Sequence, residues 1–389
     1  MEKKNKNIIF YTSLIFSAIA VYCLYYLAEQ HWALKLGAAA TESMCNLNAT
    51  FNCDAVSASP FSSFFNIPIA LWGAVSFGIF LVSFSMGVSA NIPRLIRHSF
   101  YLSNFFIVMS VIMAVISLAF MNTYCLFCIA TYVCSIIVFF CAKSLNPDGY
   151  SKFSEDIKDM FGPAKSFLAI YLLIPVLSFV FQDMAHGQSL KAMNDAVSAA
   201  KMDYENSRTY QFDIEPSYKF GASDENAKVI VHEFADFLCP HCKFALPTLK
   251  AFVSSKPDVQ LRFYAFPLSA ECNAAIGGSG PDRCRLARVS YCAEKEFSKG
   301  KEVTTELFAQ QGYYRSSNVI SEIAAKFSLD EQKLSQCEAD KASNEAILAQ
   351  AKLGQDAGIR GTPAIFINGK KLSYGARLPI LNGVYEIAK

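Results

Sequence analysis

The chain has 389 residues, of which 53% are hydrophobic and only 17% charged, and its formal net charge is +2. This length accommodates two or three domains. The positive mean hydropathy of +0.26 indicates membrane spans. The sequence has no basic cluster of the kind that follows phosphates, which argues against nucleic acid as a partner. The count of thirteen cysteines is high. Their spacing has to decide which of them are buried apolar residues, metal ligands or disulfide partners.

Five apolar segments are candidates for bilayer spans, which need roughly 20 residues each. The first is 8–28 and the second runs over about 67–86. The apolar region 100–142 is too long for one helix, so it predicts a hairpin of two spans that turns at 121–124. The fifth, 166–181, is short and is interrupted by a proline.

Lysine and arginine set the predicted orientation of these spans. They are concentrated at the N-terminus, around 94–97 and over 143–165, whereas 29–66 carries a single lysine. The first set is therefore predicted to be cytoplasmic, and everything after about residue 183 to lie outside, where disulfides persist. A cleaved signal peptide is the alternative for the first span, supported by the alanines at 38–40, but its apolar run is too long.

Two cysteine pairs belong to the predicted membrane half. Cys45 and Cys53 lie in the outer loop, where the second opens the pattern "CDAVSAS" ahead of "NIPIALWG". Cys125 and Cys128 form a C-x-x-C at the outer end of the fourth span. This arrangement, over about 8–142, resembles the vitamin K epoxide reductase (VKOR) family. The alternative, that the C-x-x-C is two small buried residues, is disfavoured by the loop pair on the same side.

The resemblance implies a four-helix bundle whose C-x-x-C reduces a quinone of the ubiquinone or menaquinone type. Cys125 and Cys128 can bridge because residues i and i+3 lie on one helix face, and free N–H groups at a helix start stabilise a thiolate. Ser59 and Asn66 are candidates for polar contact with the quinone, although Asn66 stands where many members have glycine. The lone span cysteines are predicted to pack as small hydrophobes: Cys23, Cys134 and Cys141.

The second half alternates strands and helices. A polar segment over 183–227 includes a predicted helix at 189–206, and a mostly helical stretch later extends to about Gly354. A hairpin is predicted to turn on Asn368-Gly369. The remaining predicted elements are a strand at 228–237, a helix at 243–255, a strand at 259–268 and a final helix at 378–388.

The motif "CPHC" places Cys239 and Cys242 directly after the first of these strands. With "GTP" at 361–363, this order of elements resembles a thioredoxin fold over about 210–389, and in particular its DsbA-like branch with a helical insertion. Cys239 is expected at a helix N-terminus as the nucleophilic thiolate, with Cys242 as the resolving thiol.

Three further residues are predicted to tune or serve this site. His241 can add a positive charge or a hydrogen bond to the thiolate. The resemblance implies a cis peptide at Pro363, and Thr362 before it can offer backbone hydrogen bonds to an extended substrate. A zinc site is the alternative for the C-x-x-C, but it needs a second ligand pair, and His232 is a poor candidate because it lies on the strand.

Four cysteines remain in the helical insertion, and we interpret them as structural disulfides, with Cys272–Cys284 and Cys292–Cys337 as the favoured pairing among three. Of the five histidines only His241 has a predicted function, while His31, His98 and His186 are expected to be solvated.

Taken together, the sequence predicts a membrane all-α four-helix bundle plus a fifth transmembrane helix, followed by an α/β thioredoxin-like domain with a helical insertion. The predicted divisions are 1–145, 146–207 and 208–389. The predicted activity oxidises reduced secreted proteins in the periplasm and passes electrons through the loop and membrane pairs to the quinone pool of a bacterial inner membrane. The alternatives are a reductive or isomerising relay in the opposite direction, a non-catalytic soft-metal binder and epoxide reduction.

Overall fold

The computed structural model of the chain describes residues 3–36, 43–45, 51–65, 67–121, 124–146, 148–160, 165–278 and 280–389. The chain divides into two compact units. The N-terminal unit comprises Met1–Ala33 with Ser43–Lys191, and the C-terminal unit comprises Leu34–Glu42 with Ala192–Lys389.

The N-terminal unit is mainly helical. Its elements in chain order are α1 (Lys3–Lys35), α2 (Cys53–Ala58), a 3-10 turn (Pro60–Ser62), β1 (Ser63–Phe64), β2 (Ile67–Pro68), α3 (Ile69–Ser89), α4 (Pro93–Phe120), α5 (Leu126–Leu145), α6 (Phe153–Met160) and the first part of α7 (Lys165–Asn206). The last part of α7 belongs to the C-terminal unit. Within the described ranges, four of these helices are long and apolar enough to cross a membrane, and they are α1, α3, α4 and α5.

Predicted spans and observed helices agree at the first four positions. The predicted hairpin over 100–142 is α4 followed by α5, with the break beginning at Met121. The predicted fifth span, 166–181, and the predicted connecting helix, 189–206, are parts of one continuous helix of 42 residues, α7. Whether α7 crosses the membrane stays a prediction.

The bundle of long helices is apolar on both its inner and its outer faces. Phe77, Phe80 and Phe84 follow one another along α3 at helical spacing and are all buried. The Phe77 ring stacks on Phe106 of α4 with centroids 4.1 Å apart. Large apolar side chains also point outward at half exposure or more, among them Val82, Val111, Val115, Leu118 and Phe140. An apolar exterior around an apolar core is what a bilayer solvent permits and water disfavours.

An ion-pair network joins α6 to the first turns of α4. The Arg97 guanidinium donates from Nε and Nη2 to the two oxygens of Asp156, each over 2.7 Å, and Tyr101 donates to the same carboxylate over 3.0 Å. Burial alone would raise the pKa of Asp156, but these hydrogen bonds hold it below its usual range. Asp148 adds a second, more exposed carboxylate 3.2 Å from Arg97 Nη1. His98 is buried beside Tyr101, so the expectation that it is solvated is wrong.

The C-terminal unit is an α/β domain with a mixed sheet. Its elements after α7 are β3 (Tyr218–Gly221), β4 (Val229–Ala235), α8 (Pro240–Ser254), β5 (Val259–Ala265), α9 (Pro281–Phe297), α10 (Gly300–Ala309), α11 (Val319–Phe327), α12 (Glu331–Ala339), α13 (Lys341–Asp356), β6 (Ala364–Ile367), β7 (Lys370–Lys371) and α14 (Leu378–Ala388). The helices α9 to α13 form an insertion between β5 and β6, and this insertion contributes much of a buried apolar core.

The sheet has the strand order β3-β5-β4-β6-β7, and β4 lies at its centre. β4 pairs in parallel with β5 and antiparallel with β6. Since β4 is covered on both faces, it forms a nearly continuous apolar run, and six of its seven residues are buried. The strand ends at Ala235, and the four residues from Asp236 to Cys239 connect it to α8.

The hairpin predicted at Asn368-Gly369 connects β6 to β7, and both residues have positive φ, 46° and 79°. A side chain at Gly369 would lie 2.2 Å from the Tyr210 carbonyl oxygen, so only glycine fits there. Sequence analysis missed β3 because the segment around it is polar. Tyr218 on β3 is nevertheless buried, and its ring stacks on Phe263 of the neighbouring strand.

Replacing Asp156 by alanine is expected to lower the free energy of unfolding of the N-terminal unit by about 3 kcal/mol, because it leaves the Arg97 charge without its buried partner. Thermal or SDS-induced unfolding in detergent micelles measures this loss. Asp148→Ala is the matched control and is expected to cost less than about 1 kcal/mol, since that carboxylate is partly solvated. Equal losses in the two variants would contradict the assignment of Asp156 as the main partner.

Candidate active site

The C-x-x-C of the C-terminal unit lies where β4 gives way to α8. Cys239 is the N-cap residue of α8 and Pro240 is its first residue, a position where a missing N–H costs nothing. The Cys239 N–H donates to the Asp236 carbonyl over 3.1 Å, and the Cys242 N–H donates to the Cys239 carbonyl over 3.2 Å. Cys239 retains 7% of its surface and Cys242 none, so only the first sulfur can be reached by a partner.

The Cys239 sulfur is placed to form a stable thiolate. A hydrogen bond from the Cys242 thiol, assisted by Thr362 and by the backbone N–H groups of His241 and Cys242, lowers the pKa of Cys239 to about 5 although burial opposes the shift. In the thiol form, Cys239 Sγ donates to the Thr362 carbonyl over 3.3 Å, and the Thr362–Pro363 peptide is cis. The His241 side chain is exposed, so the contact that the structure shows for this residue comes from its backbone.

The second sulfur has the opposite character. Burial raises the pKa of Cys242, and the nearby Glu233 carboxylate adds to the effect. Glu233 is fully buried in the middle of β4, and both of its carboxylate oxygens lack a hydrogen-bond partner within the described part of the chain. Burial raises the pKa of Glu233 to about 8. A carboxylate of that acidity, close to Cys242, can exchange a proton with the resolving thiol during disulfide exchange.

Glu233 is a functional candidate that the sequence analysis missed. A charged residue inside a strand that is buried on both faces was the available signal. The same strand carries His232, whose pKa falls to about 3 on burial. Its ring packs between Phe212 and Tyr264, 4.6 and 5.8 Å away between centroids, which fits a structural role better than metal ligation. Among the described residues no group of three or more His, Cys, Asp and Glu is arranged to hold a metal ion.

The loop pair of the N-terminal unit, Cys45 and Cys53, forms a disulfide at the start of α2. Asn52 caps this helix by accepting the Ala55 N–H over 2.9 Å. The buried Asp54 carboxylate holds the two ends of the loop together, since it accepts the Ser43 N–H over 3.0 Å and also the Ser43 hydroxyl. Both cysteines of the pair are buried, with 0% and 1% of their surface exposed.

The membrane pair, Cys125 and Cys128, is also joined as a disulfide. Cys125 is the N-cap residue of α5, and its sulfur accepts the Cys128 N–H over 3.1 Å. The carbonyl of the preceding residue, Tyr124, accepts the Asn52 N–H over 2.9 Å, which ties the segment before α2 to the start of α5. As a result, the structure brings the two disulfides into one buried apolar cluster that also includes Leu27 of α1.

A cavity of about 300 Å³ opens beside this cluster, and the Cys125–Cys128 disulfide forms part of its wall. Its lining is mostly apolar and comes from α4, α5 and the segment after α2, including Met113, Ile116 and Ile129. This volume is at the lower end of the range for small-molecule sites. The polar groups of the lining are Ser59, Ser62, Ser117, Tyr124 and Tyr132.

The quinone-site candidates have different outcomes. Ser59 lines the cavity, but its hydroxyl donates to the Val56 carbonyl over 2.8 Å. Asn66 lies outside the described residues. Tyr132, one turn after Cys128, lines the same cavity and was missed, although its i+4 spacing from the cysteine was a usable signal. His31, expected to be solvated, is buried instead, with Nδ1 3.3 Å from the Ser62 hydroxyl.

The remaining cysteines fall into two groups. In the helical insertion the structure joins Cys272 to Cys284 and Cys292 to Cys337, which is the favoured pairing of the sequence analysis. Three lone cysteines are buried and free in the bundle, and they are Cys23, Cys134 and Cys141.

Comparison with known proteins identifies both halves. Residues 8–143 match the vitamin K epoxide reductase family, and residues 230–385 match the DSBA-like thioredoxin domain. The chain joins a VKOR segment to a DsbA-like thioredoxin domain. The two matches support a thiol–disulfide oxidoreductase, and the described helices include four with the length and composition of membrane spans. The cysteine pairs described above lie within the two matched segments. The search of curated proteins found no match.

Several solved structures are similar to part of this chain. A thioredoxin-like oxidoreductase from Silicibacter pomeroyi is 23% identical, with 45% of this chain and 93% of that chain covered and a TM-score of 0.38. DsbA2 from Pseudomonas aeruginosa is 24% identical, with coverage of 46% and 97% and a TM-score of 0.37. BdbD from Bacillus subtilis is 20% identical, with coverage of 47% and 95% and a TM-score of 0.37.

The pH dependence of Cys239 alkylation tests the geometry of this site. With a pKa of about 5, Cys239 is mostly thiolate above that pH, so its reaction with iodoacetamide in the reduced protein should be nearly constant from pH 6 upward. Below pH 5 the rate should fall about tenfold per pH unit. Mass spectrometry of the tryptic peptide 229–243 measures the rate, and Cys242 on the same peptide is the unreactive control. A rate still rising tenfold between pH 7 and 8 would contradict the assignment.

Proposed function

We propose that this protein forms disulfide bonds in secreted proteins and disposes of the electrons by reducing a quinone in the membrane. The observation that carries the proposal is the position of the Cys125–Cys128 disulfide. It forms the wall of an apolar cavity on one side and shares a buried cluster with the Cys45–Cys53 disulfide on the other. A redox pair between a second sulfur pair and an apolar cavity is suited to pass electrons from thiols to an apolar acceptor.

The relay is balanced at two electrons and two protons per turn. A client dithiol attacks the Cys239–Cys242 disulfide, is oxidised to a disulfide, and leaves Cys239 and Cys242 as thiols. These reduce the Cys45–Cys53 disulfide and are themselves reoxidised. The loop dithiol then reduces the Cys125–Cys128 disulfide, and that dithiol transfers two electrons and two protons to the quinone, which becomes a hydroquinone. Each exchange between sulfur pairs proceeds through a mixed disulfide.

The burial of the loop pair imposes a condition on this relay. Cys45 and Cys53 are both almost completely buried, so a sulfur of the C-terminal unit can reach them only after the loop opens. Cys239 is well suited to the exchange with client proteins, because stabilisation of its thiolate in the reduced form makes the Cys239–Cys242 disulfide a strong oxidant. Joining both units in one chain raises the effective concentration of the partners.

The cavity provides what a quinone head group requires. Its wall is apolar, and a quinone carbonyl can only accept hydrogen bonds, so the cavity has to supply donors. The Ser59 and Ser62 hydroxyl protons are already directed at the Val56 and Ser59 carbonyls, each over 2.8 Å. The remaining polar groups of the lining are Ser117, Tyr124 and Tyr132, and we favour the two phenol groups as donors. Asn66 is retained as a candidate from the sequence.

The proposed arrangement in the cell follows from the charge bias of the sequence. The N-terminus and the Arg97 region are cytoplasmic, and the fifth span within α7 leads to a periplasmic thioredoxin domain at the bacterial inner membrane. The proposed divisions are a bundle over 1–145, a connecting part over 146–207 and a thioredoxin domain over 208–389.

Single serine replacements test the relay in purified protein with a reduced, unfolded test protein and a soluble quinone. Loss of quinone-dependent oxidation is expected for all six relay cysteines, with trapped mixed disulfides in some variants. The six are Cys45, Cys53, Cys125, Cys128, Cys239 and Cys242. Cys141→Ser is the control and should retain activity, because this buried cysteine is free and lies outside the cavity lining. Full activity of Cys125→Ser or Cys128→Ser would remove the quinone step.

Running the assay in both directions with the wild-type protein distinguishes the direction of the relay. A reductive relay would instead transfer electrons from hydroquinone to a protein disulfide, and the wild-type protein would catalyse this reaction faster than oxidation. Bound metal in stoichiometric amount, with no thiol oxidation, would support the soft-metal binder.

Tyr132→Phe is expected to raise the KM for quinone about tenfold, the effect of about one lost hydrogen bond, because the cavity loses a donor without changing shape. Steady-state kinetics with varied quinone and a fixed thiol substrate measure it. Ser59→Ala is the comparison and should change KM less than about threefold, since its hydroxyl donates to the backbone. A larger effect at Ser59 than at Tyr132 would reverse the assignment of the donor.

A further inference from the structure

The four residues 236–239, here named the active-site turn, determine where the Cys239 sulfur lies. The turn connects the central strand β4 to α8. It is closed by the Cys239 N–H, which donates to the Asp236 carbonyl over 3.1 Å, and by the Leu238 N–H, which donates to the Asp236 carboxylate over 2.8 Å. An Asp side chain that accepts the N–H two residues later is a common way to fix a turn.

The Asp236 side chain is completely buried and has three donors around it. Besides Leu238, the Leu268 N–H donates to its second oxygen over 2.7 Å, and Arg283 Nη1 forms an ion pair with the first. Burial raises the pKa of Asp236, and these donors counter that rise. A set made up only of donors satisfies the ionised carboxylate and not the protonated acid. A buried charge of this kind is tolerated only when it is paired, and Arg283 is the cation that pairs with it.

Arg283 comes from the helical insertion. It is the third residue of α9, and the next residue, Cys284, is joined by a disulfide to Cys272 in the segment after β5. The insertion makes a second contact with the same turn. The Gln311 side-chain amide donates to the carbonyls of Phe237 and Cys239 over 3.0 and 2.9 Å. The insertion therefore contacts the active-site turn with two side chains, Arg283 through an ion pair and Gln311 through uncharged hydrogen bonds.

Charge near the thiolate has a direct chemical consequence. The charged or titratable side chains at this site are Glu233 on β4, Asp236 in the turn, His241 and Cys242 on α8, and Arg283 on α9. The Asp236 carboxylate is close enough to Cys239 for the two negative charges to repel each other. Without compensation, the group that orders the turn would destabilise the Cys239 thiolate and make the Cys239–Cys242 disulfide a weaker oxidant.

We propose that Arg283 is a positioning residue of the thiol–disulfide reaction: it neutralises the buried Asp236, so the carboxylate can order the active-site turn without destabilising the Cys239 thiolate. The helical insertion thereby contributes to the oxidising strength of the site. This inference rests on thiol exchange at Cys239 and not on the quinone step, so its test remains valid if the quinone proposal fails.

The test compares variants of the full-length protein in detergent by two readouts on the tryptic peptide 229–243. One is the pH profile of Cys239 alkylation, and the other is the fraction of Cys239–Cys242 disulfide at equilibrium with glutathione. Arg283→Met is expected to raise the pKa of Cys239 by about one unit. The glutathione equilibrium should shift towards the disulfide by up to about tenfold, the same change expressed as an equilibrium constant.

A double-mutant cycle of Asp236 and Arg283 distinguishes neutralisation of the Asp236 charge from a purely structural role of Arg283. In the Asp236→Asn background the carboxylate is gone. The double variant Asp236→Asn with Arg283→Met should therefore have the same alkylation profile and the same glutathione equilibrium as Asp236→Asn alone. Arg288→Met is the matched control: it lies on the same helix, removes the same charge and breaks an ion pair with Glu338, 2.7 Å away, without contact to the active-site turn. It should resemble the wild type.

If Arg283→Met does not fold, Arg283→Lys replaces it in the test. This variant keeps the charge and should retain the wild-type pKa of Cys239 within about half a unit. The proposal is overturned if Arg283→Met has the wild-type profile. It is equally overturned if the replacement shifts Cys239 by the same amount with and without the Asp236 carboxylate, or if Arg288→Met shifts it as much.

Discussion

Disulfide exchange requires that one sulfur approach another in line with the bond that breaks, and this contact requirement governs the whole molecule. The structure meets it by placing cysteines at the starts of helices. Cys125 is the N-cap of α5, Cys239 is the N-cap of α8, and Cys53 is the first residue of α2. At such positions a sulfur projects from the end of a rigid element towards a partner, and in α5 and α8 free N–H groups favour its anionic form.

The two sulfurs of the thioredoxin-type pair differ because the fold gives them different surroundings. Cys239 is reachable and has a pKa of about 5, whereas Cys242 is buried against Glu233 and its pKa is raised. Cys239 is suited to act as nucleophile and leaving group, and Cys242 to react only after the mixed disulfide has formed. The two buried carboxyl groups near the pair differ as well: Asp236 in the turn after β4 is paired with Arg283, whereas burial raises the pKa of Glu233 in the central strand to about 8.

The N-terminal unit has a different feature, a sulfur pair next to an apolar cavity. Apolar side chains on the outside of its long helices suit a lipid environment, and the aromatic core between α3 and α4 makes the bundle stiff. At one end of this bundle, the segment before α2 is tied to the start of α5 through Asn52 and Tyr124. That contact brings the loop disulfide and the membrane disulfide into one cluster beside the cavity.

Much of this organisation was determined by the sequence alone. Four apolar helices, the strand that leads into Cys239, the helix that begins after it and the Asn368-Gly369 hairpin all follow from local pattern, because periodicity, turn residues and C-x-x-C spacing act over short distances in the chain. The tertiary structure alone decided which distant groups meet. The influence of Glu233 on Cys242, the place of Tyr132 in the cavity wall and the ion pair of Arg283 with Asp236 depend on side-chain burial and on contacts between different elements. No local pattern contains that information, since the energy of a buried charge or a cavity donor is set by neighbours that only folding supplies.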